Sequence, residues 1–133
     1  MVFKGDGCWS ALGMTGGEQQ LSLKDGCWYE RTIMHEFIHA FGFGHEQSRP
    51  DRDQYIEIVW DNIEEENQPQ YAIKVGSHTY GVMYDGTSVM HYRPSTFGNG
   101  NGNTMESLVC LCFDTWKSKK PKSKFYSDLS LFL

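Results

Sequence analysis

The chain has 133 residues, 39% of them hydrophobic and 14% aromatic, enough to build one domain around a modest core and too apolar for a disordered chain. Its net charge of −5 is uneven: residues 1–106 hold seven Lys/Arg against fifteen Asp/Glu, and residues 107–133 hold five Lys against two Asp, so no uniformly basic face for nucleic acid is expected. No apolar run is long enough to span a bilayer, and residues 1–7 lack the apolar stretch of a signal peptide.

In chain order, Cys8-Trp9-Ser10-Ala11-Leu12 and Gln19-Gln20-Leu21-Ser22-Leu23 alternate large or apolar with small or polar side chains. Met14-Thr15-Gly16-Gly17 between them supplies the glycines of a turn, so an antiparallel hairpin is expected. Cys8 and Cys27 flank that hairpin and can meet across it as a disulfide, the alternative being two buried free thiols. A second turn at Lys24-Asp25-Gly26 leads to a helix over residues 29–41, with Ile33, Phe37, Ile38 and Phe41 as its packed stripe. One hairpin is a thin supply of sheet for such a helix, so more sheet is expected upstream.

That helix carries the chemistry. His35 and His39, four residues apart, stand on one face about 6 Å apart along the axis, a chelating pair. Glu36 is offset by about 100° and so does not compete for the same coordination position, leaving it able to hold a water at the metal. Gly42 permits a left-handed exit that turns the chain back and returns His45 toward the same ion. Three neutral imidazoles with an open position describe catalytic zinc, whereas structural zinc is closed by four protein ligands, usually with thiolates. A lone HExxH arises by chance in about one chain of this length in a hundred. Gly42 and His45 at their offsets make coincidence far rarer, leaving core histidines satisfied by carbonyls as the alternative.

Downstream, residues 47–53 form a polar loop whose charges can pair locally, with Pro50 excluding a helix. Residues 55–60 alternate, with Ile56, Ile58 and Trp60 on one side of a strand. Residues 62–74 suit a short helix limited by Pro69, with Glu64, Glu65 and Glu66 as a solvated face. Residues 77–86 are turn-rich, and residues 98–103 alternate Gly and Asn, a flexible loop without core-forming side chains. From Ser107 the composition changes, no coherent element is legible, and Cys110-x-Cys112 has no second pair or nearby histidine to make a metal site.

Taken together, His35-Glu36-x-x-His39-x-x-Gly42-Phe43-x-His45-Glu46, Arg49-Pro50-Asp51-Arg52-Asp53 and Tyr84-Asp85-x-x-Ser88-Val89-Met90-His91-Tyr92 resemble the astacin family of metzincin zinc endopeptidases, over about residues 7–106. The resemblance implies an α+β metzincin-like domain with an edge hairpin, an active-site helix and a Met-turn. It implies one zinc per chain on His35, His39 and His45, with Glu36 polarising the attacking water. Tyr92 is similar to the family's tyrosine that ligates zinc in the free enzyme and swings away to stabilise the transition state, and Met90 to the Met-turn residue beneath the metal. Glu46 resembles the residue that contacts the amino terminus of mature astacins, and Cys8 with Cys27 match a family disulfide. The strand Cys8, Trp9, Ser10, Ala11 and Leu12 is similar to the edge along which substrate lies antiparallel.

The organisation expected is a partial catalytic domain over residues 1–106, incomplete at both ends, and a divergent tail over 107–133. The expected function is hydrolysis of peptide bonds in protein or peptide substrates, in a parent protein exported to an oxidising compartment. The alternative is a zinc-binding fragment of such an enzyme without turnover; an unrelated cytosolic zinc module is disfavoured by the Cys8 and Cys27 spacing. Oligomeric state is not legible.

Overall fold

A computed structural model describes residues 1–109; Cys110, Cys112 and the rest of the basic tail lie outside the described residues. Three short strands, β1 (Val2–Phe3), β2 (Cys8–Ser10) and β3 (Leu21–Leu23), form a sheet in the order β1-β3-β2. β2 runs antiparallel to β3 with Cys8 opposite Leu23 and Ser10 opposite Leu21, and β1 lies parallel to β3. The hairpin expected from the alternation is present but shorter, because Ala11 and Leu12 leave the ladder and β3 starts at Leu21. β1 has no counterpart among the expected elements, since two apolar residues followed by Lys4 and Gly5 carry no periodic signal. Its presence puts β3 in the middle, where Leu21, Ser22 and Leu23 are all buried.

A disulfide joins Cys8 to Cys27 with Cα atoms 5.8 Å apart, settling the open alternative of free thiols. It staples β2 to the loop that feeds the helix α1 (Glu30–Ala40). Leu21, Leu23 and Cys27 form a small core against which Ile33 packs. The expected apolar stripe of α1 needs correction. Ile33 and Ile38 are half-buried, but Phe37 and Phe41 face outward, Phe41 with 76% exposure, and the one buried residue of the helix is Glu36. The small sheet covers one side of α1, and the face carrying Met34, Phe37 and Phe41 is left only partly covered among the described residues.

The second half of the described chain is built mostly from turns. β4 (Ile56–Ile58) pairs antiparallel with β5 (Met105–Ser107), and single 3₁₀ turns occupy Glu46–Ser48, Arg52–Gln54 and Trp60–Asn62. Trp60, expected to continue the strand, instead opens one of those turns. The short helix expected near Pro69 is a 3₁₀ segment over Glu65–Tyr71, whose pattern of hydrogen bonds tolerates the proline better than an α-helix interior would. Ile56, Ile63, Tyr71, Tyr84 and Met105 make the core of this half, with Tyr92 packed against it. Tyr71 is wholly buried, its hydroxyl hydrogen bonding to the Thr96 carbonyl and to Thr104 Oγ1.

Two further expectations change. The Gly/Asn run is not a free loop: Asn62 Nδ2 donates to Asn103 O at 2.7 Å, Asn99 N donates to Asn62 O, and Asn99 Nδ2 donates to Asp61 O. The first residues past the composition change also pack on the body, Ser107 within β5 and Leu108 N donating to Tyr55 O at 2.8 Å.

Replacing Cys8 and Cys27 together with serine removes a cross-link closing a loop of about 20 residues, and should lower unfolding free energy by ~3 kcal/mol in urea titrations. Tyr71→Phe should cost ~1 kcal/mol or more by stranding Thr96 O, read the same way.

Candidate metal centre

The carboxyl end of α1 is a turn in which two backbone donors close back on the helix. Gly42 N donates to His39 O at 2.8 Å and Phe43 N to Ile38 O at 3.2 Å, with Gly42 at φ +100°, the left-handed geometry that glycine reaches without strain. The turn has two consequences. It redirects the chain so that His45 comes back beneath the helix, and it aims the Phe43 carbonyl at the His39 ring, 2.8 Å from Nδ1. Gly13, also left-handed at φ +68°, packs directly on Gly42, and its N–H donates to His39 O at 2.8 Å.

A second turn supports the centre from below. Ser88 Oγ accepts from Met90 N at 3.1 Å, and His91 N donates to Ser88 O, folding Ser88-Val89-Met90-His91 tightly. The Val89 carbonyl lies 2.9 Å from His35 Nδ1, and the Met90 carbonyl accepts from Glu46 N at 3.0 Å. Met90 is buried, and Arg31 on α1 donates to Ser88 O.

These placements decide the tautomers. A carbonyl only accepts, so His35 and His39 each carry their proton on Nδ1, and each Nε2 presents a lone pair. His45 Nε2 lies 3.2 Å from both His35 Nε2 and His39 Nε2. Tetrahedral zinc with Zn–N bonds of about 2.0–2.1 Å requires nitrogens about 3.3 Å apart. The donor set therefore fits zinc in spacing, with the His35 and His39 lone pairs turned toward the site, and the three histidines are the group with metal-ligating geometry among the described residues. Burial pushes the His45 pKa down to about 3, with the neighbouring imidazoles adding to the effect, and burial lowers that of His39 against the hydrogen bond it donates to the Phe43 carbonyl. Neutral imidazoles are the form a metal needs.

Glu36, next to His35 in α1, is buried, and among the described residues its Oε2 has no hydrogen-bond partner. Burial raises its pKa, while His35 pulls the other way. Tyr92 lies ring against ring with His45, centroids 4.5 Å apart, and burial raises its phenol to about 12. Glu46 is half-buried, accepting from Arg49 Nη1 at 3.0 Å and from Asp85 N at 2.9 Å, whereas the ammonium of Met1 donates to Gln19 O. Cys8, Trp9 and Ser10 form β2 at the edge of the sheet nearest α1, with Ala11 and Leu12 continuing toward the glycine turn.

The residues that hold these groups do not stand out in the sequence. Arg49 is one: it pairs with both carboxylate oxygens of Asp51 at 2.9 Å, with Glu46, and with the Met83 and Val82 carbonyls, and it stands over the Tyr84 ring. Gln47 is another, wholly buried with Oε1 accepting from Tyr92 N at 3.1 Å. Their signal is the charged run that follows His45, where Arg49 pairs locally with Glu46 and Asp51 as expected, but the partners that tie it to the centre, Val82, Met83 and Tyr92, lie 33 to 45 residues away.

The chain matches the family model for astacin, a peptidase family, over residues 1–120. It is 51% identical to meprin A subunit beta of Rattus norvegicus over 112 residues, covering 81% of this chain and 16% of that protein. It is 46% identical to zinc metalloproteinase nas-13 of Caenorhabditis elegans over 106 residues, covering 77% of this chain and 23% of that one. Among solved structures it is similar to high choriolytic enzyme 1, a hatching enzyme zinc-protease from Oryzias latipes, with a TM-score of 0.78 at 36% identity over 84% of this chain and 56% of that chain. The chain thus spans a sixth to a quarter of the length of these two curated relatives. With the three imidazoles placed for zinc and the relatives in agreement, the chain belongs to the astacin family of peptidases, and zinc is its metal.

Proposed function

We propose that this chain is the metal-binding part of a zinc-dependent endopeptidase that hydrolyses peptide bonds in proteins or peptides, residues 1–106 being a partial catalytic domain and 107–133 a divergent tail. The observation that carries this reading is the convergence of three imidazole nitrogens, with a carboxylate oxygen, Glu36 Oε2, buried without a partner on the same helix and interacting with His35. A buried carboxylate without a partner is costly, and a water held between it and the ion would relieve that cost. His35, His39 and His45 would hold the zinc. Bound there, zinc supplies Lewis acidity and brings the pKa of a water from about 15.7 to about 7.

The chain's own groups do the rest. Glu36 takes the proton of the attacking water and delivers it to the departing amine. Tyr92 donates its phenolic O–H to the oxyanion, a role that needs no charge on the donor. Met90 and its turn hold His35 in place through the Val89 carbonyl. The outer edge of β2, unpaired among the described residues, offers main-chain groups to an extended substrate, with Cys8, Trp9, Ser10, Ala11 and Leu12 along it. The Cys8 to Cys27 bond suits an extracellular setting. No helix among the described residues is long and apolar enough to cross a membrane.

Purified protein loaded with zinc should cleave a generic peptide mixture, and a chelator should abolish the cleavage until zinc is restored. Glu36→Ala should keep the zinc stoichiometry, measured by elemental analysis, while hydrolysis falls at least about a hundredfold. Loss of the metal from that variant would instead make Glu36 a ligand, and zinc retention without cleavage by the parent chain would leave a binding fragment. His45→Ala should weaken zinc binding far more than His78→Ala, whose ring lies outside the triad; equal effects would remove His45 from the ligand set.

A further inference from the structure

Beside the metal centre lies a cleft of about 570 Å³ that the chemistry above does not use. Leu12 bounds it beyond the end of β2, Phe43 and His45 bound it on the glycine turn, and Lys74, Val75 and Tyr80 form the opposite wall. Its volume is in the range of small-ligand sites. The apolar side chains of this wall face water: Val75 is 98% exposed and Tyr80 77%. Tyr80 adopts φ +53°, uncommon for a residue with a Cβ, and its ring stands against Phe43 and His78 at centroid distances of 6.4 and 6.0 Å.

Lys74 is fixed at its backbone. Its N–H donates to Ser48 O at 3.0 Å, its carbonyl accepts from Ser77 N and Oγ, and its stem passes over Gly44. The other charged residues of the lining, Glu46 and Arg49, are paired with each other, and Arg49 also with Asp51. Lys74 has no ion-pair partner among the described residues. The cleft is therefore an apolar trough with one uncompensated positive charge.

Chain direction says what enters it. Cys8 at the start of β2 is bonded to Cys27 just before α1, and Gly13 beyond its end donates to His39 O near the end of α1, so β2 and α1 run the same way and the end of β2 reaches Leu12 beside the glycine turn. A peptide laid antiparallel on β2 passes the three histidines with its amino-terminal half pointing to Leu12 and the cleft. We propose that the cleft receives substrate residues on the amino side of the scissile bond, and that Lys74 selects a carboxylate within the first three of them. This inference rests on the peptidase reading, and the occupant is the substrate chain itself, by continuity with the His45 site and by charge.

The test uses the zinc-loaded full chain and peptide pairs that differ only by Glu or Lys two or three residues before the cleaved bond. The Glu peptide should be favoured about fivefold in kcat/KM, the scale of a solvent-exposed ion pair, with the ratio shrinking in high salt. Lys74→Ala should bring the ratio near one and Lys74→Glu should reverse it. A ratio that neither variant changes, with cleavage intact, overturns the proposal. In parallel, fluorescently labelled peptides of both kinds are titrated onto Glu36→Ala protein, where discrimination is read as Kd without turnover. If no peptide is cleaved, the peptidase reading falls and this second arm decides alone: a Lys74-dependent preference for the Glu peptide upholds the cleft as an acidic-peptide site, and equal Kd values overturn it.

Discussion

The structure depends on two hydrogen bonds from imidazole Nδ1 to backbone carbonyls, His35 to Val89 and His39 to Phe43. Each removes a tautomer, and together they turn the Nε2 lone pairs of His35 and His39 toward His45 Nε2, 3.2 Å from each. A cation between them would engage all three nitrogens at once, so the fold holds a donor set that binding stabilises. Both carbonyls come from turns, one closing the helix and one built around Ser88. Turn geometry, more than the helix itself, sets the precision of the centre.

Arg49 connects the two halves of this support. It lies three residues past Glu46 and satisfies backbone carbonyls in the segment that leads into the Ser88 turn, so the chain following His45 and the chain preceding Met90 are tied through one guanidinium. Glu46 adds a second tie through Asp85 N and a third through Met90 O. Few regular strands are needed where a planar, multivalent cation cross-links loops, and this half of the chain has, among its described residues, a single two-stranded ladder.

What is readable from the residues follows from the range of the interactions. The helix over 30–40, its glycine exit and the relation of His35, Glu36, His39 and His45 are local, fixed within a dozen residues, and the three histidines lie together in the folded chain. The apolar stripe misleads at Phe37 and Phe41 because periodicity identifies a face and not what covers it. β1 escapes notice for the opposite reason: Val2 and Phe3 become a strand only through pairing with Leu21 and Ser22. Composition also misleads at residues 98–103, where the Asn99 side chain ties the run to Asp61 and the backbone of Asn99 and Asn103 ties it to Asn62.

Gly13 and Gly42 meet backbone to backbone. Both residues are left-handed, no side chain separates them, and a hydrogen bond to His39 O locks the pair. The gap between the strand edge and the imidazoles is thereby gauged by main chain alone, which cannot breathe through rotamer changes. The far wall at residues 74–80 is side chains on a loop, free to be rewritten without disturbing that gauge. Such a division leaves one jaw of the cleft rigid while the other can change its side chains.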